Sequence, residues 1–297
     1  MNNLFQKSSS HWVKYDSYEL REFGDSLYLK PAPKAKPIVY DPLKDSDAMV
    51  LDALNVGMLQ MKHADTDTVK TAVLDFVSKY GLLGFMTALP TTPHFLDYDA
   101  VYLPKNHFIK SETMSAEKYT SMFFPFEKPN LTKTKDKVVW TTENDREMLA
   151  LAAAFSDSPM ALNLSFQREY AENYEWLTTQ FKDLAFTFVS SFIYYEDYDS
   201  NDEVTRSLYR QGMAAFGGIA PTYRIALLDK PTIVWDFHSL LLGIQMTFSF
   251  ALTDDKKPLR CCRQCQNAFV AGSPNAVFCS ARCKNQFNVY KGREVEL

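Results

Sequence analysis

The chain has 297 residues, of which 46% are hydrophobic and 23% are charged, the balance of an ordinary globular protein. No stretch reaches the ~18 uncharged apolar residues of a membrane-spanning helix, so an integral membrane protein is not expected. The first residues, MNNLFQKSSSHW, lack a basic start followed by an apolar run. We therefore expect no signal peptide and a cytoplasmic location.

The formal net charge of −4 conceals an asymmetry between the two parts of the chain. From residue 256 onward there are eight basic and two acidic residues, a net +6, so that residues 1–255 carry the remaining −10. A basic tail on an acidic body indicates either an anionic partner for the tail or an acidic surface of the body that receives it.

The first 130 residues are predicted to form an α+β region that begins with strands. Apolar residues alternate through residues 11–30 on both sides of a turn at Gly24-Asp25, which predicts one or two strands. Residues 31–37 are rich in proline and predict a stiff, extended connector.

Two helices are predicted after this connector, at residues 45–63 and 65–80, because apolar residues recur there every three to four positions. Asp65 or Asp67 is a suitable N-cap for the second helix. Gly81 is placed where a glycine commonly ends a helix.

Residues 90–130 are irregular and rich in proline and aromatic residues, which indicates a packed surface loop or a binding loop. Within this stretch His94 and His107 lie near Asp97 and Asp99, the one histidine–carboxylate cluster worth testing for catalysis. A solvated loop is the favoured interpretation, because sequence alone does not show that these side chains meet. The chain has no phosphate loop and no GxGxxG, HExxH or GxSxG motif, so an enzyme is the least favoured function.

A second, mainly helical region is predicted at residues 138–255, after an exposed linker at 127–137. Its helical patterns span residues 144–155, 159–195 and 203–216. The segments 223–228 and 232–235 flank Asp229-Lys230-Pro231 and predict a β-hairpin. The segment 235–252 is so apolar that a buried helix is expected.

All five cysteines lie between positions 261 and 283, and four of them form two close pairs. The pairs are Cys262-x2-Cys265 and Cys279-x3-Cys283, separated by thirteen residues. A CxxC turn places both sulfurs on one side of a tight knuckle, and residues at i and i+4 share one face of a helix. This spacing predicts a tetrahedral Zn²⁺ site with four thiolate ligands. Cys261 could replace Cys262 as a ligand, but the two-residue spacing favours Cys262.

The residues between and after the cysteine pairs support a small zinc-binding domain. Residues 268–270 and 276–278 are predicted to pair as short strands, and Ser280 to cap a helix that carries the last cysteine. Phe287 and Tyr290 follow at helical spacing and are expected to pack beneath the metal. Knuckle, hairpin and helix together predict a treble-clef finger.

The predicted fold class is therefore mainly α with small β-hairpins (α+β), with a zinc finger at the C-terminus. Three parts are expected along the chain. They are the N-terminal α+β region at 1–130, the helical region at 138–255 and the treble-clef finger at 259–293.

The run FCSARCKNQFNVYKGR, from Phe278 to Arg293, resembles the C-terminal zinc finger of bacterial proteins that end in the pattern FCS..C.N..N..K.R. It is similar, more loosely, to the CGNR-type finger of stress-induced transcription regulators. The matching positions are the four cysteines, Asn285 and the basic residues that follow. Lys284 and Gln286 stand where the CGNR motif has Gly and Arg. Because those fingers are predicted DNA binders, the resemblance implies nucleic-acid binding.

The leading hypothesis is a bacterial nucleic-acid-binding protein, a transcription regulator, that contacts DNA through the finger while the body senses a ligand or forms a homodimer. Phosphates would be contacted by the basic residues Arg282, Lys284, Lys291 and Arg293. Base edges would be contacted by the amides Asn285, Gln286 and Asn288.

The alternative hypothesis is a structural or protein-docking finger with no role in nucleic-acid binding. In that case Phe287, Val289 and Tyr290 would dock on the body or on a protein partner. The acidic, aromatic run at residues 194–199 could also shield the basic finger when no nucleic acid is bound, although most such runs are solvated helix ends.

Overall fold

The structure is a computed structural model, and it shows a mixed α+β fold, the class that the sequence predicts. Among the residues that it describes there are six α-helices and several small antiparallel sheets. None of those helices is both long enough and apolar enough to cross a membrane. The described residues are 12–83, 171–215, 222–237, 239–273 and 275–295, together with short strands at 101–102, 113–114, 131–134 and 137–140.

The N-terminal segment contains four strands, β1 Trp12–Tyr15, β2 Tyr18–Phe23, β3 Ser26–Pro31 and β4 Pro37–Tyr40. Strands β2 and β3 form the predicted hairpin, and Gly24 in its turn has a φ of 58°, which glycine adopts readily.

The predicted extended connector at residues 31–37 is wrong, because the chain turns there. The Ala35 N–H donates to the Ala32 carbonyl at 3.0 Å, and β4 returns to pair antiparallel with β1. Proline at the second position of a tight turn has the same φ as in an extended segment, so its presence does not distinguish the two.

Both helices predicted in this region are confirmed, as α1 Ser46–Met61 and α2 Thr66–Tyr80. A short 3-10 helix at Pro42–Asp45 leads into α1. The N-cap of α2 is Asp65, whose carboxylate accepts the Thr68 N–H at 2.9 Å. Gly81 ends α2 with a φ of 87°.

In the middle of the chain the described residues form four short strands, β5 Val101–Tyr102, β6 Thr113–Met114, β7 Leu131–Thr134 and β8 Lys137–Trp140. Strand β5 pairs with β6 inside the stretch predicted to be irregular. Strands β7 and β8 pair with each other where an exposed linker is predicted. Leucine, threonine and valine in that segment favour strands despite its lysines. The predicted cluster of His94, His107, Asp97 and Asp99 and the predicted helix at 144–155 fall outside the described residues.

The long helix predicted at residues 159–195, continuous or once broken, is represented among the described residues by α3 Tyr174–Glu196. Strand β9 Glu172–Asn173 pairs with β3 directly before it. The Asn173 side chain accepts the Trp176 N–H at 3.0 Å and so caps the helix. Residues 159–170 lie outside the described part of the chain.

The next helix, α4 Glu203–Ala215, and the hairpin of β10 Thr222–Leu227 and β11 Pro231–Asp236 confirm the predictions there. The apolar helix is α5 Leu240–Leu252, and most of its residues are buried as predicted. Its predicted start at residue 235 is wrong because Trp235 belongs to β11. The Ser239 hydroxyl accepts the Leu242 N–H at 3.1 Å and caps the helix.

Helix α1 lies at the centre of the hydrophobic core, between α3 and α5. Gly57 allows α1 to approach α3 closely, because a Cβ at this position would lie 2.7 Å from the Ala185 Cβ and would clash with the Phe181 carbonyl oxygen. Leu259 and Ala268 from the cysteine-rich tail belong to the same core. The tail is therefore packed onto the body through α1.

Candidate metal centre

The cysteine-rich tail consists of β12 Leu259–Cys261, β13 Ala268–Val270 and α6 Ala281–Val295. Strand β13 forms as predicted, but its partner is β12 and not residues 276–278, which form no strand. The Val277 carbonyl instead accepts the Arg263 N–H at 3.0 Å, which ties this segment to the turn that follows β12. Sequence spacing did not reveal β12, because its pairing depends on how the cysteine turn closes.

The turn at Cys262–Cys265 is closed by two backbone hydrogen bonds. The Cys262 N–H donates to the Asn267 carbonyl at 2.9 Å, and the Gln266 N–H donates to the Cys262 carbonyl at 2.8 Å. Gln266 has a φ of 57°, a conformation that few non-glycine residues adopt. The backbone of the turn that carries Cys262 and Cys265 is therefore fixed by its own hydrogen bonds.

The structure brings together the four cysteines predicted as metal ligands. The sulfur atoms of Cys262, Cys265, Cys279 and Cys283 all lie within 4.8 Å of one another. The Cys279 sulfur is 3.7 Å from that of Cys265 and 3.5 Å from that of Cys283. Cys261 does not belong to this cluster and is half-buried against the core. Four sulfurs so arranged are positioned to bind one metal ion.

The surroundings of the cluster favour a thiolate at one sulfur and oppose it at others. Burial opposes ionisation of Cys262, but N–H groups of Cys265, Cys279 and Gln264 face its sulfur and lower its pKa to about 6. Burial and the neighbouring thiols raise the pKa of Cys279 to about 12. Burial also raises the pKa of Cys265. Thiolates this close repel one another, so the full set ionises together only around a cation.

Two side chains, from Lys62 directly after α1 and from Asn55 within it, fix the cysteine turn and β13 to the body. Lys62 Nζ donates to the Cys265 carbonyl and to Asn267 Oδ1, both at 2.7 Å. Asn55 accepts the Ala268 N–H at 2.9 Å and donates to the Ala268 carbonyl at 3.3 Å. Sequence reasoning missed both residues, because they lie about 200 positions before their partners and belong to no motif.

Helix α6 begins with the last ligand and then leaves the cluster. The Cys283 N–H donates to the Ser280 hydroxyl at 3.2 Å, so Ser280 caps the helix as predicted. Phe287 is half-buried, and its ring centroid is 5.2 Å from that of Phe278. Val289 and Tyr290 are 53% and 55% exposed. The predictions that Tyr290 packs beneath the metal and that both residues dock on the body are therefore wrong, because more than half of each side chain remains accessible to solvent.

The residues predicted to contact nucleic acid lie on α6, and those with described side chains are exposed. They are Arg282, Lys284, Asn285, Gln286 and Asn288. Lys291 and Arg293 lie in the last turns of the same helix, and their side chains are outside the described part of the structure. The acidic run at 194–199 ends α3, and its Glu196 carboxylate lies 4.0 Å from the guanidinium of Arg263, at the cysteine turn.

Comparison with known proteins does not extend these observations. No family model, no curated protein and no solved structure matches the chain. The likeness of the tail to bacterial zinc fingers therefore stays a resemblance.

Proposed function

We propose that the four cysteines hold one Zn²⁺ ion and that the tail is a treble-clef finger that binds DNA, as part of a bacterial transcription regulator. The sulfur positions support the zinc. Around a tetrahedral ion with zinc–sulfur bonds of about 2.3 Å, the sulfurs lie about 3.8 Å apart. The Cys279 sulfur lies 3.7 and 3.5 Å from two of its neighbours.

The observation that carries the binding proposal is the placement of α6. The other side of the finger is occupied, since Lys62 bonds its cysteine turn, Asn55 bonds β13 and Leu259 enters the core. Helix α6 instead presents cationic and amide side chains to solvent. Cations supply the attraction to phosphates, and amides are groups that contact base edges.

A single finger covers little surface, so specific binding requires added contacts from a second copy of the chain or from the body. The tail as a whole has a net charge of +6, which favours a polyanion over an uncharged partner.

A structural finger is the second candidate, and the contacts of Lys62 and Asn55 favour it. Both residues tie the finger to α1, and β12 contributes Leu259 to the core. Such contacts stabilise the body whether or not DNA binds. The two functions are separated by asking whether the zinc-loaded protein has affinity for nucleic acid.

The proposal is tested by metal analysis and by fluorescence anisotropy with mixed-sequence duplex DNA. We expect one zinc per chain, and a logarithmic salt slope of about −3.6 if four cations contact phosphates. Affinity would then fall about a hundredfold between 50 and 200 mM salt. Cys283→Ser should lose both zinc and binding. Cys261→Ser is the matched control and should retain both, because Cys261 lies outside the cluster.

The opposite result is equally informative. If the protein contains one zinc per chain and binds no duplex, single-stranded DNA or RNA at low salt, the DNA-binding proposal is wrong. The finger is then the structural element that Asn55 and Lys62 indicate.

A further inference from the structure

We infer that α6 is shaped for the major groove of B-form DNA and that its solvent-facing side favours A·T base pairs. This inference rests on the nucleic-acid binding proposed above and specifies its target.

The residues of α6 fall into rows along the helix, because an α-helix advances about 100° per residue. Cys283 and Phe287 lie on the side that faces the finger, one buried and the other half-buried. Lys284 and position 291, seven residues apart, form one flanking row. Arg282, Gln286 and position 293 form the other flanking row, on the opposite side of the helix.

Between the two flanking rows lies a central row that faces away from the finger. It contains no charged residue. Its members are Ala281, Asn285, Asn288, Val289 and position 292, which is a glycine. The first four of these are exposed.

Two cationic rows on opposite sides of one helix fit a groove with phosphates on both walls. A helix with its side chains is about 10–12 Å across, and the major groove of B-form DNA is about 12 Å wide. A single strand offers only one line of phosphates. The major groove of duplex RNA is deep and too narrow to admit side chains to its bases. The arrangement therefore matches duplex DNA.

The central row would then face the base edges. Asparagine pairs with the N6 and N7 atoms of adenine, and an apolar side chain contacts the methyl group of thymine. Asn285 and Val289 are one turn apart, about 6 Å along the helix, or roughly two base-pair steps. Arginine and lysine, the usual partners of guanine, are confined to the flanking rows. The central row thus favours A·T pairs.

The first experiment determines the class of nucleic acid. Zinc-loaded protein bound to a labelled mixed-sequence DNA duplex is challenged with unlabelled duplex DNA, duplex RNA and single-stranded DNA of equal length at one salt concentration. Duplex DNA should compete at least tenfold better than the other two. Equal competition by duplex RNA or single-stranded DNA overturns the inference while leaving nucleic-acid binding intact. Absence of binding to all three overturns the proposed function itself.

The second experiment tests the central row on the duplex sequence that the protein selects from a random library. Replacing adenine by 7-deazaadenine should weaken binding at least about fivefold, the loss of one good adenine contact. Replacing thymine by uracil should weaken it about fourfold, the effect of one buried methyl group. Asn285→Ala should be insensitive to the first replacement, and Val289→Ala to the second. Both positions are exposed, so the variants should keep one zinc per chain.

Two lysine variants serve as matched controls. Lys284→Ala removes a charge from a flanking row and should weaken all duplexes equally, with a smaller salt slope. Lys257→Ala removes an exposed charge of the tail outside α6 and should change little. Either of two results would show that the central row does not contact bases. One is a set of selected sequences without an A·T preference. The other is that Asn285→Ala and Val289→Ala respond to both base replacements as the unmodified protein does.

Discussion

Lys62 connects the body to the cysteine turn, and its replacement by methionine tests how strongly the two depend on each other. Methionine keeps an unbranched apolar side chain but removes the ammonium group. The Cys265 carbonyl and Asn267 Oδ1 then lose the donor that each has at 2.7 Å. Burial lowers the pKa of Lys62, and the nearby cysteine thiols act in the opposite direction and raise it. The ammonium group is therefore close enough to the cluster to interact with it electrostatically.

Hydrogen bonds from a charged donor contribute about 1.5–3 kcal/mol, and two bonds from one half-buried ammonium are not additive. We therefore expect a total loss of about 2 kcal/mol. If the finger, like other small zinc domains, folds only with its metal, the Lys62 contacts form only in the zinc-bound state. The loss should consequently appear as a zinc affinity lower by roughly thirtyfold.

The assay is a competition for zinc between the protein and a chromogenic chelator. Lys62→Arg keeps the charge and should recover part of the affinity. Lys44→Met is the matched control, because this exposed lysine lies just before the other end of α1. A zinc affinity of Lys62→Met within twofold of the unmodified protein would refute the reasoning, since the contacts would then contribute nothing to the folded finger.

Three further predictions concern stability. Gly57→Ala should lower the free energy of unfolding, measured in urea, by about 3 kcal/mol, because the new Cβ would clash with α3. Gly212→Ala is the control. It has open space around it and should raise the free energy of unfolding by up to about 1 kcal/mol. Hydrogen bonds from Thr68 lower the pKa of Asp65 in the folded chain. The ionised carboxylate should therefore stabilise the fold above the ordinary carboxyl pKa near ~3.9, and this stabilisation should be lost as the pH falls further. Asp65→Asn should reduce that loss in urea titrations of the zinc-free protein. Chelation of zinc should lower the melting temperature of the whole chain, because Leu259 and Ala268 belong to the common core. An unchanged melting temperature of the body after chelation would contradict this prediction.

Local signals account for the elements that the sequence predicted correctly. Helix α2 has an apolar stripe, a capping Asp65 and a terminating Gly81 within seventeen consecutive positions, and all three signals are local to that segment. The β10–β11 hairpin is likewise specified by its own turn. The connector at 31–37 was mispredicted because proline suits both a turn and an extended segment. Its outcome depends on the pairing of β4 with β1, which is a long-range contact.

The same distinction between local and long-range signals applies to the candidate site. Cys262 and Cys265 are close in the sequence, as are Cys279 and Cys283, so spacing alone indicates two pairs of ligands. What spacing could not indicate is where the finger docks. The contacts of Lys62 and Asn55 join residues about 200 positions apart. A lysine at the end of a helix has no sequence feature from which such contacts could be predicted.

The way the finger docks also explains why α6 is the exposed part of the tail. The hairpin of β12 and β13 places Leu259 and Ala268 in the core. Cys283 lies at the cluster in the first turn of α6, and Phe287 contacts Phe278 one turn later. Beyond that contact Val289, which lies on the side of the helix away from Cys283, is 53% exposed although it is apolar. An apolar residue on an otherwise polar, basic helix loses contact with water only when a partner covers it, which is the condition that a bound duplex would supply.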